Sequence, residues 1–211
     1  MASIIRKPFS YSFKNATLAI ILINTAIFLI QQVIPSLSYI LSLNVYNCIG
    51  GKMYWQPFTY MFVHGNFQHL FFNMLGLFFF GLSIEKALGT KEFLLMYLLI
   101  GTLCGLFSLA VYFFTGQWRI ILLGASGAVY AVLLAYAVVF PKSRMFIWGL
   151  IPVPAPVLVV AYAIIEFFSH FLGMRSGVAH SVHLAGFGFC WLYFLVRMGI
   201  NPIKVWKNAY F

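Results

Sequence analysis

A chain of 211 residues with 63% hydrophobic and only 8% charged residues cannot maintain a water-facing surface, because soluble domains carry about 25% charged residues. Its carboxylates are Glu85, Glu92 and Glu166, and it has no aspartate; this excludes a paired-aspartate protease and a Ser-His-Asp triad, and the H-E-x-x-H pattern of zinc proteases is also missing. The formal net charge of +10 comes from lysines and arginines in short loops between apolar runs, which suits topology control and lipid headgroups rather than nucleic acid.

In chain order, a basic segment over residues 1–15 precedes an apolar run too long for a signal peptide and without a convincing cleavage site, so it is read as a retained helix. The apolar segments predict six helices: Ala16–Ile34, Phe67–Ile84, Phe93–Phe114, Ser126–Phe140, Met145–Phe168 and Ala179–Val196. Most approach the ~20 residues needed to cross a bilayer core. The period-2 alternation of a membrane β-barrel is not seen. The expected fold is an all-α membrane protein, a six-helix bundle in one domain over 1–211, with 1–15 and 198–211 as its tails.

Six crossings place both termini on one side. That side carries Arg6, Lys7, Lys14, Lys86, Lys91, Lys142, Arg144, Arg197, Lys204 and Lys207, whereas the other carries Lys52, Arg119 and Arg175. The positive-inside rule makes the richer side cytoplasmic. The longest connection, about Pro35 to Asn66, then lies outside, and its aromatic stretch Tyr54-Trp55-Gln56-Pro57-Phe58-Thr59-Tyr60 suits the headgroup zone. Gly101 and Gly105 form a small-residue pair for helix packing. Cys48, Cys104 and Cys190 are odd in number and scattered, which fits neither a disulfide framework nor a metal site. No metal or cofactor is expected.

Depth singles out four polar residues. Counted from the cytoplasmic ends of their helices, Ser126 lies ~24 Å deep, His183 ~21 Å, Asn73 ~20 Å and His69 ~26 Å. In a core about 30 Å thick these fall in the outer half, on three helices. A lone serine can bond its own helix, a lone histidine can be a satisfied core residue, and a lone asparagine can join two helices. Together they supply a nucleophile, a base and oxyanion donors. The fourth segment spans only ~22 Å and must begin below the outer surface. Ser126 therefore opens a helix, where free N–H groups favour an anion, and Gly124 and Gly127 permit the turn and a close substrate approach.

Three blocks resemble the rhomboid family of intramembrane serine proteases: His64-Gly65-Asn66-Phe67-Gln68-His69-Leu70-Phe71-Phe72-Asn73, Gly124-Ala125-Ser126-Gly127, and Ala179-His180-Ser181-Val182-His183-Leu184-Ala185-Gly186. They occur in order on the second, fourth and sixth helices, and the resemblance runs from about Trp55 to Cys190. It implies a catalytic dyad, with Ser126 as nucleophile and His183 as general base, and no third carboxylate. It also implies an oxyanion hole of His69, Asn73 and the Ser126 N–H, with Tyr130 packed on the imidazole. His180, nearer the surface, takes a supporting polar role, His64 a structural or water-binding one, and Gly186 marks which histidine is catalytic.

The chain departs from the family pattern at Cys190, where a second glycine is frequent, and at Trp55-Gln56, where Trp-Arg is frequent. Glu85 fits an acidic family slot or a salt bridge or cap. Pro152, Pro154 and Pro156 weaken hydrogen bonding toward the cytoplasmic end of the fifth helix, past which substrate access is expected. The implied activity is cleavage of single-pass membrane proteins near the outer face. The rivals are a catalytically silent client-binding relative and a small transporter. Short loops and the lack of a targeting extension point to a prokaryotic plasma membrane. Oligomeric state is open.

Overall fold

The computed structural model describes residues 6–147, 150–172 and 180–210. Arg175, counted on the outer side, and Ala179, the expected start of the sixth helix, lie outside the described residues.

Helix α1 (Ala16–Val33) has no cap of its own; Asn15 precedes it in a left-handed conformation. Its first N–H groups are satisfied by Glu85, whose carboxylate accepts from Ala16 N (2.7 Å), Thr17 N (2.8 Å) and the Thr17 hydroxyl (2.8 Å). Glu85 is thus a cap supplied by another helix, one of the roles expected for it. The buried stripe of α1 is Thr17, Ile20, Asn24, Phe28 and Gln31, while Leu22, Leu29 and Val33 face outward. A polar inner face with an apolar outer one is the inverse of a soluble helix and matches a lipid surround.

The long connection is built from α2 (Ser36–Leu41), a wide turn at Tyr46–Gly50, α3 (Gln56–Thr59) and a tight turn at Tyr60–Phe62. Gln56, in the position where arginine is frequent, is fully buried. Its amide donates to Tyr39 O and Ile40 O and its oxygen accepts from Asn44 N, so loop groups that would otherwise lack partners are satisfied. This segment sits on Gly101 and Gly105: a Cβ at Gly105 would lie 2.3 Å from Pro57 O.

Helices α4 (Phe67–Gly76) and α5 (Leu82–Leu88) form one rod through a π-helical stretch at Leu77–Gly81. Asn66 caps it, accepting from His69 N at 2.8 Å. Gly89, with φ 83, makes the turn into α6 (Thr90–Phe114). Helix α7 (Ser126–Val139) follows a segment held by a two-residue bridge between Leu43 and Leu122 and by Gly124 N donating to Tyr60 O (3.0 Å). Gly127, Ala128, Ala131 to Ala135, Ala137 and Val138 are all buried. A helix buried all round is the core of a bundle.

The fifth apolar segment corrects the expected helix from Met145. Strands β1 (Arg144–Ile147) and β2 (Ile151–Pro154) pair antiparallel, and α8 covers only Ala155–Phe171. Pro152 and Pro154 lack the N–H a helix interior needs, whereas Pro156 falls in the first turn of α8, where none is needed. Helix α9 (His180–Tyr193) continues through a π-helical stretch to Met198. A Cβ at Gly186 would lie 2.2 Å from Gly127 O, so α9 and α7 touch backbone to backbone. Cys190 is fully buried one turn further along. The expected tail is largely helical: α10 (Pro202–Tyr210) docks under α7, with Trp206 donating to Ala137 O and Tyr210 to Pro141 O. Arg6 Nε donates to Val196 O (3.2 Å), which brings the N-terminal segment to that same end.

Four spans are long and apolar enough to cross a membrane: Ala16–Val33, Phe67–Leu88, Thr90–Phe114 and His180–Met198. Two shorter apolar helices, Ser126–Val139 and Ala155–Phe171, complete the bundle.

Candidate active site

Ser126 opens α7 because Gly124 makes a turn that other residues resist, at φ 111. That glycine also leaves room for His69: a Cβ there would lie 2.5 Å from the imidazole Cε1. The serine Oγ lies 2.8 Å from His183 Nε2, which reaches it from α9. Tyr130, one turn below Ser126, stacks on the His183 ring with centroids 4.1 Å apart and planes 10° from parallel. Gly127 and Gly186 set the α7–α9 distance that allows this reach.

The expected absence of a third carboxylate does not hold. Glu166, from α8, places Oε1 2.9 Å from His183 Nδ1 and accepts there from the Tyr130 hydroxyl at 2.5 Å. Its Oε2 lies 2.6 Å from His180 Nδ1. An ionised carboxylate only accepts, so the network assigns a proton to His183 Nδ1 and leaves the Nε2 lone pair facing Ser126. His180 thus shares this carboxylate with His183.

His69 and Asn73 sit one turn apart on α4 and line one cavity of about 1010 Å³ with Ser126, Tyr130 and His183. Phe72, Ile120, Ile121, Leu123 and Val129 supply apolar walls, and Asn66 and Gln68 add polar ones. Asn73 Nδ2 donates to His69 O of its own helix at 2.8 Å; an amide has a second hydrogen, so this bond leaves one donor for a ligand. His64 lies behind the cavity, edge-on to His69 with centroids 5.1 Å apart. It precedes α4 rather than riding on it, and Gln31 bonds both its backbone N–H and its carbonyl at 3.3 Å. Burial, reinforced by His69, lowers the His64 imidazole to about 3. No cluster of metal-binding side chains occurs among the described residues.

Such an arrangement can deprotonate a hydroxyl, stabilise a developing oxyanion and admit an extended apolar ligand beside both. Sequence reasoning missed Glu166 and the Asn66 cap. The available signal for Glu166 was its isolation, an ionisable side chain in an apolar helix.

Residues 51–199 match the family model described as Rhomboid domain, a span that holds every residue of the site. The chain is 29% identical over 193 residues to RHOMBOID-like protein 12, mitochondrial, of Arabidopsis thaliana, covering 83% of this chain and 56% of that one. It is 32% identical over 130 residues to Rhomboid protein 1, mitochondrial, of Saccharomyces cerevisiae, covering 59% and 36%. It is 27% identical over 202 residues to Rhomboid protease AarA of Providencia stuartii, covering 84% and 70%. The chain therefore spans about half or less of the two mitochondrial relatives.

Proposed function

This chain belongs to the rhomboid family, and from that premise we propose that it is an intramembrane serine endopeptidase acting through Ser126 and His183. The observation that carries the reading is the 2.8 Å contact between Ser126 Oγ and His183 Nε2 at the wall of a largely apolar cavity. As Ser126 Oγ attacks a peptide carbonyl, its proton passes to His183 Nε2. The resulting oxyanion is held by the Ser126 N–H, His69 and Asn73, each such donor being worth ~3–4 kcal/mol. His183 returns the proton to the leaving amine as the C–N bond breaks. Water then attacks the acyl-serine, giving its proton to His183, and the serine leaves with that proton restored.

The substrate class is a single-pass membrane protein with an easily unwound helix end, because an extended backbone has to reach Ser126 past apolar walls. We read the two shorter helices, α7 and α8, as the remaining crossings, with both termini cytoplasmic by the charge map. The home we propose is a prokaryotic plasma membrane; the relatives include mitochondrial proteins and proteins of bacteria.

The test is cleavage of a single-pass reporter in proteoliposomes, with fluorophosphonate labelling of Ser126. Ser126→Ala and His183→Ala should each lose at least ~10³-fold in kcat. Wild-type rates in either variant would overturn the assignment.

A further inference from the structure

We infer that Glu166 is a positioning residue for His183, so that this chain works by a Ser-His-Glu triad. The inference rests on the serine protease reading of the same site and extends it to a third helix.

Helix α8 shows why the carboxylate is there. Ile165 is 58% exposed and Phe167 48%, yet Glu166 between them is 6% exposed. At this level α8 presents lipid-facing side chains on both sides and one inward carboxylate. Such a residue in an apolar helix is costly without partners. Among the described residues Glu166 has three, none with a fixed charge: Tyr130 from α7, and His180 and His183 from α9. Tyr162, on α8 itself, packs edge-on against Tyr130 with centroids 6.2 Å apart, and His69 faces the site from α4. A purely structural clasp gains nothing from placing one oxygen in line with the imidazole that touches the serine. Here the order is Oε1, Nδ1, Nε2, Oγ, at 2.9 Å and 2.8 Å.

Two consequences follow. Glu166 holds the Nδ1–H tautomer, so that Nε2 faces Ser126 as a base. When the serine proton arrives on Nε2, the imidazolium sits beside an anion. The carboxylate takes no proton: the proton moves from Oγ to Nε2 and onward to the leaving amine. Tyr130 and His180 fix the carboxylate, one on each oxygen.

The test uses full-length protein in proteoliposomes with the single-pass reporter. Glu166→Gln keeps the shape but removes the charge, and should lower kcat by roughly 10²–10⁴-fold with KM and melting temperature near wild type. Glu166→Asp, which restores the charge, should recover part of that loss. Tyr130→Phe keeps the ring stack and should lower kcat several-fold. A folded Glu166→Gln protein with wild-type kcat overturns the inference. A readout independent of any Glu166 variant is the ¹⁵N spectrum of histidine-labelled wild type, with His183 identified by its loss in His183→Ala. The Nδ1–H form is expected, and the Nε2–H form overturns the inference. If wild type neither cleaves nor takes a fluorophosphonate, the protease reading fails first. If cleavage needs Ser126 but ignores Glu166→Gln, only the triad fails.

Discussion

Glu92 and Glu166 are both buried carboxylates that bond a tyrosine and a nitrogen base from neighbouring helices. Beside the C-terminal end of α9, Glu92 accepts from Tyr193 and, through two bonds of 2.9 and 2.8 Å, from Arg197. Beside the N-terminal end of α9, Glu166 accepts from Tyr130 and meets His180 and His183. The difference is the base. A guanidinium never gives up its proton, so the Glu92 cluster locks α6 to α9 in one state. An imidazole exchanges its proton readily, so the Glu166 cluster tolerates a change of charge at its centre. One clasp serves stability and the other chemistry, although their parts list is nearly the same.

The largest expected effect that tests this contrast is Glu166→Gln, whose loss of roughly 10²–10⁴-fold in kcat should leave unfolding in detergent nearly unchanged. Arg197→Met should do the reverse. It strands a buried carboxylate and costs about 2–4 kcal/mol of stability in thermal unfolding, with kcat per folded molecule retained. Equal loss of activity in both variants would erase the distinction.

His64 gives a third case, a buried histidine whose ring nitrogens have no hydrogen-bond partner among the described residues. Its pKa falls from 6.5 to about 3 on folding. A depressed value means the native state prefers the neutral form, so stability is full above pH 6.5 and is lost as pH falls toward 3. Between pH 7 and pH 5 this histidine should cost about 2 kcal/mol, seen as a fall in melting temperature that His64→Gln removes.

Gly186→Ala should cost about 1–3 kcal/mol, because a methyl group would meet Gly127 O and push α9 from α7. Cleavage should fall with it, since the His183 reach depends on that contact. The smallest effect is expected at the Glu85 cap. Thr90→Ala removes one bond of 2.6 Å to that carboxylate, worth about 1 kcal/mol in unfolding and nothing in kcat.

Much of the site was legible before any coordinates, for reasons that differ by residue. Ser126, His183, His69 and Asn73 lie in three compact blocks, and counting from charged helix ends put them at one depth. The structure brings them to one cavity. Glu166 was not legible because it belongs to no block, and spacing along a chain does not say which helices become neighbours. The family pattern, which has no carboxylate behind the histidine, also argued against looking there. The fifth helix was misjudged because apolar length outweighed three prolines. Residues 144–154 are apolar enough for a helix, but Pro152 and Pro154 withhold two of the N–H groups that one needs. Gln56 shows the opposite outcome: a departure from the usual arginine keeps the loop's carbonyls satisfied through an uncharged amide.

The hairpin that precedes α8 has a consequence for the surrounding lipid. It leaves α8 with 17 residues, about 26 Å of helix against a hydrocarbon core near 30 Å. With α8 as a crossing, as proposed above, that shortfall of a few ångströms would be a hydrophobic mismatch. Thinning of the bilayer is one way to accommodate such a mismatch, at fractions of a kcal/mol per ångström. A neighbouring transmembrane segment of ordinary length would then overshoot the thinned film beside α8, and its end would be pushed toward the headgroups and water, where unwinding costs least.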